Sequence, residues 1–386
     1  MASSDPDRSH SPAALRRRSP RSHAARAWRA VTSPYYRYRN AAVIHSVRVG
    51  LAMLVSILAT TGINVPHGIW ASVTLLVVIG GLQHQGNIRK KAAERAIGTL
   101  LGAVIGLVVI LQANAIGSPA LTYVLMSIVA GVCGYYAIGK PAYVALLTAI
   151  TMCIVAGHGD NLISVGLWRT LNVLVGIVIA LAFSFALPLY ATYSWRYRFA
   201  DNLRESARVY AKIMSGEALD AEAQVQIFLR LGKRLVQLRS LMPSVTKETG
   251  VPMSTLEELQ RLHRSLLSAL EMLSTAALGQ TEPAARAAFA GAANVDAPEV
   301  RAALLAMARA LRFAGAKGLR MANTPALGLP EREGNAAEAG SLAGTSLDLL
   351  GPCWLGRRIA GQVDCLRALL VETEPQWNIE RHAAAS

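Results

Sequence analysis

Acidic side chains are the scarcest feature of this 386-residue chain, with 24 Asp and Glu against 39 Lys and Arg and a formal charge of +15. Between Ala41 and Tyr190 the acids reduce to Glu94 and Asp160. That poverty removes paired-carboxylate chemistry from the first half of the chain. Cysteine is also sparse. Cys133, Cys153, Cys353 and Cys365 form no CxxC and have no histidines at ligand spacing, which leaves no zinc site, no other metal site and no disulfide framework. HExxH and GxSxG are absent, so the sequence carries no sign of an enzyme or of a bound cofactor. A near-miss occurs at Gly134–Lys140, which approaches a phosphate-binding loop. There Pro141 stands where Ser or Thr ligates magnesium, and an apolar run precedes it in place of a strand.

Long apolar runs are present in quantity. Mean hydropathy is +0.34 and 53% of residues are hydrophobic, unusual for a water-soluble protein. The runs crowd into residues 41–190, at lengths that suit membrane-spanning helices. Six spans are expected, near Ala42–Ile63, His67–Leu82, Ala92–Leu111, Ala120–Ile138, Pro141–Gly157 and Val165–Tyr190. The fold class expected is all-α. Residues 1–40 form a basic, disordered tail, 41–190 a transmembrane domain, and 191–386 a polar helical bundle.

Charge placement orients the spans. The tail, the turn Arg89-Lys90-Lys91, Lys140 and the run Arg196, Arg198, Arg204 alternate with loops that hold no Lys or Arg. The positive-inside rule puts all the basic segments, and both termini, in the cytoplasm. The tail reads either as such an anchor or as a surface for anionic headgroups, and the two are compatible. High charge also suits nucleic acid, but here it lies on no nucleic-acid motif, and no nucleic-acid partner is expected.

The six spans divide three and three. Arg95 opens RAIGTLLGAVIG and Arg169 opens RTLNVLVGIVIA. Laid together, Arg95 meets Arg169, Gly98 meets Asn172 and Gly102 meets Gly176. Pro66 and Pro141 each start a middle helix, with Trp70 and Tyr143 shortly inside. Three spans per copy is odd, so the second copy runs inverted. Transporters built this way hold their site at the repeat interface near mid-bilayer.

Candidate site residues follow from that layout. An ionisable group inside a bilayer costs about 2.5–3.5 kcal/mol on insertion scales, so it faces a cavity or a partner. Arg48 and Arg95 read either as snorkelling cations or as an anion site. Arg169 falls near the outer face, where the positive-inside rule offers no explanation, and is the strongest functional candidate. Trp70 and Tyr143 read as interfacial belt aromatics or as stacking partners for an aromatic solute, and Asn172 joins them as a polar intramembrane candidate. Gly98, Gly102, Gly106 and Gly176 read as close helix-packing positions. His45, His158 and Asp160 are weak proton-binding candidates.

Beyond Tyr193, apolar residues step by three or four. Val225, Phe228, Leu231, Leu235, Leu238 and Leu241 form one stripe, and Leu256, Leu259, Leu262, Leu266, Leu270 and Leu273 a second. Val300, Leu304, Met307 and Leu311 form a third, and Leu355, Ile359, Val363, Leu366 and Leu370 a fourth. These are one-sided amphipathic helices. Linkers are expected at Met242–Pro252 and Asn323–Gly344.

The proline, Trp70-Ala71 and Thr74, followed by the basic turn and Arg95-Ala-Ile-Gly98-Thr99-Leu-Leu-Gly102, resemble the fusaric acid resistance family, also described as aromatic acid exporters. The layout of six spans plus a helical domain is similar to the plant aluminium-activated malate transporters, which are dimeric anion channels. The resemblance implies efflux of small organic anions across the bacterial inner membrane, with Arg48, Arg95 and Arg169 as the matching cationic positions. Many bacterial exporters of this family carry a second membrane block, which this sequence lacks, so either a homodimer supplies it, as expected, or the protein is not an autonomous exporter. A different class remains beside this one, a non-transporting membrane protein whose helical domain binds a partner.

Overall fold

A computed structural model describes residues 33–81, 84–139, 141–157, 162–294, 296–315, 319 and 347–379. Among these residues every regular element is helical. A short helix α1 (Pro34–Arg39) leads into α2 (Ala41–Gly62), α3 (Ile69–Ile79), α4 (Gln85–Ile116), α5 (Pro119–Tyr136), α6 (Ala142–Ala156) and α7 (Ile163–Ala186). The presence of α1 corrects the expected tail, whose last residues are helical. Ser33, Pro34 and three tyrosines supply a proline at the first helical turn and rings that pack on the rest of the protein. Tyr35 and Tyr38 meet the Tyr197 ring at 5.5 and 5.1 Å.

Four of the apolar helices, α2, α4, α5 and α7, are long enough to cross a membrane. The two middle helices are shorter, 11 residues in α3 and 15 in α6. At 1.5 Å per residue they rise about 16 and 22 Å, short of a hydrocarbon core about 30 Å thick. The expected span His67–Leu82 is thus reduced to Ile69–Ile79. Its lead-in is irregular backbone, with Asn64 and His67 in the left-handed region at φ 55° and 59° on either side of Pro66. Proline cannot continue a hydrogen-bonded turn at that point, and the two left-handed residues reverse the chain around it. α5 begins with Pro119 behind Ser118. α4 ends on Gly117 at φ 69°, the left-handed position where a side chain is strained.

Packing in this apolar layer pairs α4 with α6 and α3 with α7, while α4 and α7 also touch each other. α2 lies on α3 and α7, and α5 lies on α6 and α4. One core cluster gathers Ala52, Leu75, Val78, Ile79, Ile88, Ala92, Val173, Ile177 and Ala180. α5 buries little beyond Thr122 and Cys133 and turns Tyr123, Val124, Ile128 and Val132 outward. In water such a surface would be costly, at roughly 25 cal/mol per Å² of exposed apolar area, whereas lipid tails cover it freely.

The polar helices follow as α8 (Ala191–Met214), α9 (Ala221–Thr249), α10 (Met253–Leu278), α11 (Pro283–Ala293), α12 (Ala297–Phe313), α13 (Leu347–Glu372) and α14 (Glu374–Trp377). They share one core, in which all of Val300, Leu304, Met307 and Leu311 and all of Leu355, Ile359, Val363, Leu366 and Leu370 are buried. Val225, in the first turns of α9, is instead exposed. Asp220 caps α9 by accepting from the Glu222 amide at 3.2 Å. The helix continues through Pro243 to Thr249 and stops at Gly250 with φ 75°. The linker expected at Met242–Pro252 therefore shrinks to three residues, because the Leu241, Met242 and Val245 side chains stay buried and hold that stretch helical. The linker expected at Asn323–Gly344 lies outside the described residues.

The two layers meet where α9 crosses the start of α4. A Cβ on Gly86 would stand 2.5 Å from the Ser244 carbonyl oxygen, and Lys247 donates to Asn87 at 3.3 Å. α1 packs on α8, so the start of the first apolar helix and the start of α4 lie on the polar helices' side.

Candidate functional site

The three candidate arginines sit on the apolar helices α2, α4 and α7, and two of them converge on the same pair of short helices. Arg95 is 7% exposed on α4. Its Nη2 donates to Thr74 Oγ1 of α3 at 3.5 Å, and the Tyr143 hydroxyl of α6 is the other polar group beside the guanidinium. Arg169 on α7 lies with its guanidinium carbon 5.8 Å from the Trp70 ring centre of α3, and its Nη1 donates to the Ile154 carbonyl of α6. Each arginine therefore bridges α3 and α6. Each also meets the aromatic of the middle helix in the other three-helix set, Arg95 with Tyr143 and Arg169 with Trp70.

The two sites occupy different levels. Along α6, Tyr143 and Ile154 are eleven positions apart, about 16 Å of helix rise. Arg95 Nε and Arg169 Nε are buried without a hydrogen-bond partner. Glu94 is turned to Lys90 at 3.5 Å rather than to either arginine. Asp160 and His158 lie outside the described residues. A buried guanidinium offers several N–H donors in a rigid fork, and those left over suit a planar carboxylate.

Arg48 is fully buried on α2 and makes a separate arrangement. Its Nη2 meets His45 Nδ1 at 2.9 Å, and His45 Nε2 meets the Gly80 carbonyl oxygen at 3.2 Å. One neutral tautomer satisfies both contacts, with Nε2–H donating to Gly80 and Nδ1 accepting from Arg48. The chain Arg48–His45–Gly80 ties α2 to the end of α3. The structure does not bring Arg48 together with Arg95 and Arg169. Nearby, His84 opens α4, and burial together with Arg198 and Arg48 depresses its pKa to about 4. Arg48 and Arg198 thus both place positive charge near that end of the apolar layer.

Asn172 performs a positioning task. It is 1% exposed, and its Nδ2 donates to the Pro66 carbonyl at 2.8 Å and to the Trp168 carbonyl at 2.9 Å. Both amide hydrogens are spent on backbone. The first of these bonds fixes the irregular lead-in to α3, and with it the placement of Trp70. Two further polar pairs tie α3 down, Ser56 to Ser72 at 3.0 Å and Thr74 to Arg95. Thr74 belongs to the sequence motif that begins at Pro66, and its spacing of four from Trp70 puts the two on one helix face.

The glycines set how closely these helices approach. A Cβ on Gly98 would lie 2.9 Å from the Val144 carbonyl oxygen, and one on Gly102 would lie 2.5 Å from that of Thr148. On Gly106 it would lie 2.8 Å from Val155 Cβ. Gly176 is equally tight against the Ala71 carbonyl oxygen at 2.3 Å. Without these positions α4 could not lie on α6, nor α7 on α3, and neither arginine would reach both middle helices.

Among the described residues no group of three or more metal-ligating side chains occurs. Comparison with known proteins gives a consistent answer. The sequence profile of the fusaric acid resistance protein family matches residues 42–376. A curated relative, "Inner membrane protein YeeA" of Escherichia coli (strain K12), is 34% identical over 235 residues, a segment that covers 61% of this chain and 66% of that protein.

Proposed function

Because the chain belongs to the fusaric acid resistance protein family, a family of membrane proteins, we propose that it moves small organic anions across a bacterial inner membrane, aromatic carboxylates among them, in the direction of efflux. The observation that carries this reading is the pair of cations, buried Arg95 and half-buried Arg169, each set beside an aromatic ring and each bridging α3 and α6. Such a pair offers an anion two successive stations, and Trp70 and Tyr143 offer an aromatic ring a face to stack on. Arg48 and Arg198 add a cationic field at the opening on the polar helices' side, beside a His84 held neutral.

The reading includes an inverted repeat of α2–α4 and α5–α7. Its support is the pairing pattern, which maps onto itself when the two sets are exchanged. The α4–α6 contact becomes α7–α3, α2–α3 becomes α5–α6, and α2–α7 becomes α5–α4. Short middle helices at matching places in two such halves mark the substrate region of transporters. All six helices then cross or enter the bilayer, with both termini and the helical bundle in the cytoplasm. The outward apolar face of α5 is where a second copy would add a second membrane block.

The test is flux of benzoate, salicylate, malate and succinate in proteoliposomes, wild type against Arg169→Ala. The expected outcome is flux of at least one anion, lost in Arg169→Ala while its elution and thermal unfolding match the parent. A folded Arg169→Ala protein with undiminished flux overturns the site. Wild-type silence toward all four, in flux and in planar-bilayer recording, favours the class of non-transporting membrane protein.

A further inference from the structure

Away from the membrane layer, the polar helices hold a cleft of about 520 Å³ between α8 and α12. That size is in the range of small-molecule sites, roughly 300–1,000 Å³. Its charged residues are Arg204 and Arg208 from α8 and Arg301, Arg309 and Arg312 from α12, against a single acid, Asp201. The register is helical. Arg204 and Arg208 stand four apart, and so do Arg301, Leu305 and Arg309, so each helix turns one arginine-bearing face to the other.

We propose that this cleft binds a phosphate-bearing anion with an apolar moiety. Five like charges around one cleft repel one another, and a multiply charged oxyanion relieves that repulsion where a monocarboxylate would not. All five cations are arginine and none is lysine. A guanidinium presents a planar fork of N–H donors that matches phosphate oxygens two at a time, which an ammonium does not. Internal neutralisation is slight. Arg208 leans on Glu205 at 3.8 Å, while Arg204, Arg301 and Arg309 have neither a hydrogen bond nor an ion pair among the described residues.

Two features shape the rest of the ligand. Ala200, Ala207, Leu305 and Phe313 give the cleft an apolar wall. At one end the Arg312 guanidinium lies 4.8 Å from the Tyr35 ring centre and 5.8 Å from that of Phe313. Stacking orients that arginine without consuming its N–H donors. Tyr35 belongs to α1, which runs into the first apolar helix at Ala41. The cleft therefore opens within about two helical turns of the membrane surface, and its phosphate could arrive on a lipid headgroup or on a soluble molecule.

Calorimetric titration of the full-length protein in detergent at 150 mM salt distinguishes these sources. The probes are dihexanoylphosphatidic acid, whose phosphomonoester can carry two charges, for the headgroup, and ADP and inorganic pyrophosphate for soluble phosphate. The expected result is saturable binding of at least one probe, at one site per chain. It weakens at least tenfold in Arg301→Ala/Arg309→Ala, weakens less in Arg309→Lys, and is unchanged in Arg239→Ala on an exposed face outside the cleft. Arg204→Ala serves as the second variant should the double substitution alter thermal unfolding. Lipid-only binding assigns the headgroup and binding of ADP or pyrophosphate assigns a soluble ligand. Absence of saturable binding of every probe overturns the proposal. So does binding that Arg301→Ala/Arg309→Ala leaves intact or that Arg239→Ala weakens equally.

Discussion

The Glu248 carboxylate accepts a hydrogen bond from the Gly86 amide at 3.1 Å, joining the last turn of α9 to the first turn of α4. The same carboxylate accepts from the Ala191 amide at 3.0 Å, the Thr192 amide at 2.9 Å and the Thr192 hydroxyl at 2.8 Å. One side chain thus gathers the starts of α4 and α8 onto the end of α9. Negative charge is favoured at helix N-termini, where amide N–H groups have no partner within the helix. Burial nevertheless outweighs those four bonds and raises the Glu248 pKa above the usual carboxylate value.

Glu248→Ala leaves three buried amides and a hydroxyl without their acceptor. Each unsatisfied donor costs about 1–3 kcal/mol before relaxation and water uptake. The expected outcome is a fall of several degrees in thermal midpoint for the detergent-solubilised protein, with Glu248→Gln intermediate, since its amide oxygen still accepts. An unchanged midpoint in Glu248→Ala would show that the joint is held elsewhere.

His263 makes the polar helices sensitive to acid. It is fully buried, its ring centre is 4.6 Å from that of Phe199, and burial depresses its pKa to about 3. The unfolded chain has an ordinary histidine near 6.5. Between these values the unfolded state binds a proton that the native state refuses, so stability is full above about pH 6.5 and falls as the pH drops, by at most about 1.4 kcal/mol per unit. Thermal midpoints at pH 7.5 and 5.5 should differ in the wild type and converge in His263→Gln, where an amide replaces the ring beside Asn202. Equal slopes in the two proteins would remove His263 as the cause.

Two glycine substitutions should act in opposite directions. Gly102→Ala drives a Cβ into the Thr148 carbonyl and Thr151 side chain, and overpacking of this kind costs about 1–3 kcal/mol. Gly131 lies inside α5 with nothing within 4 Å of its would-be Cβ. There, alanine should stabilise by about 0.5–1 kcal/mol through helix propensity alone. Thermal unfolding of both variants checks the pair, and a neutral Gly102→Ala would mean that α4 and α6 are not closely packed.

Asn172→Ala removes the bond that holds the Pro66 carbonyl. The left-handed residues Asn64 and His67 then lose their anchor, and Trp70 with them. Faster amide hydrogen exchange over 63–70 is expected, with a partial loss of anion flux in place of the complete loss expected for Arg169→Ala. Exchange rates matching the wild type would show that the lead-in to α3 is held by its own backbone.

Sequence alone determined the helical class and the division between apolar and polar halves. Both are read from local periodicity and transfer energy, which need no partner to be seen. The stripes Val300–Leu311 and Leu355–Leu370 named core residues in advance for the same reason. Tertiary structure decided the rest. The true lengths of α3 and α6, and the helical course of Met242–Thr249, depend on what those stretches are packed against. Arg95 and Arg169 were legible as unusual cations, because a charge in an apolar run is visible in one dimension. Their meeting with Thr74, Tyr143, Trp70 and the Ile154 carbonyl was not, since those groups lie on other helices and the chain returns to them through long connections. The arginine faces of α8 and α12 are the same lesson in water, where residues near 204 and 309 become one cleft only when two helices are laid side by side.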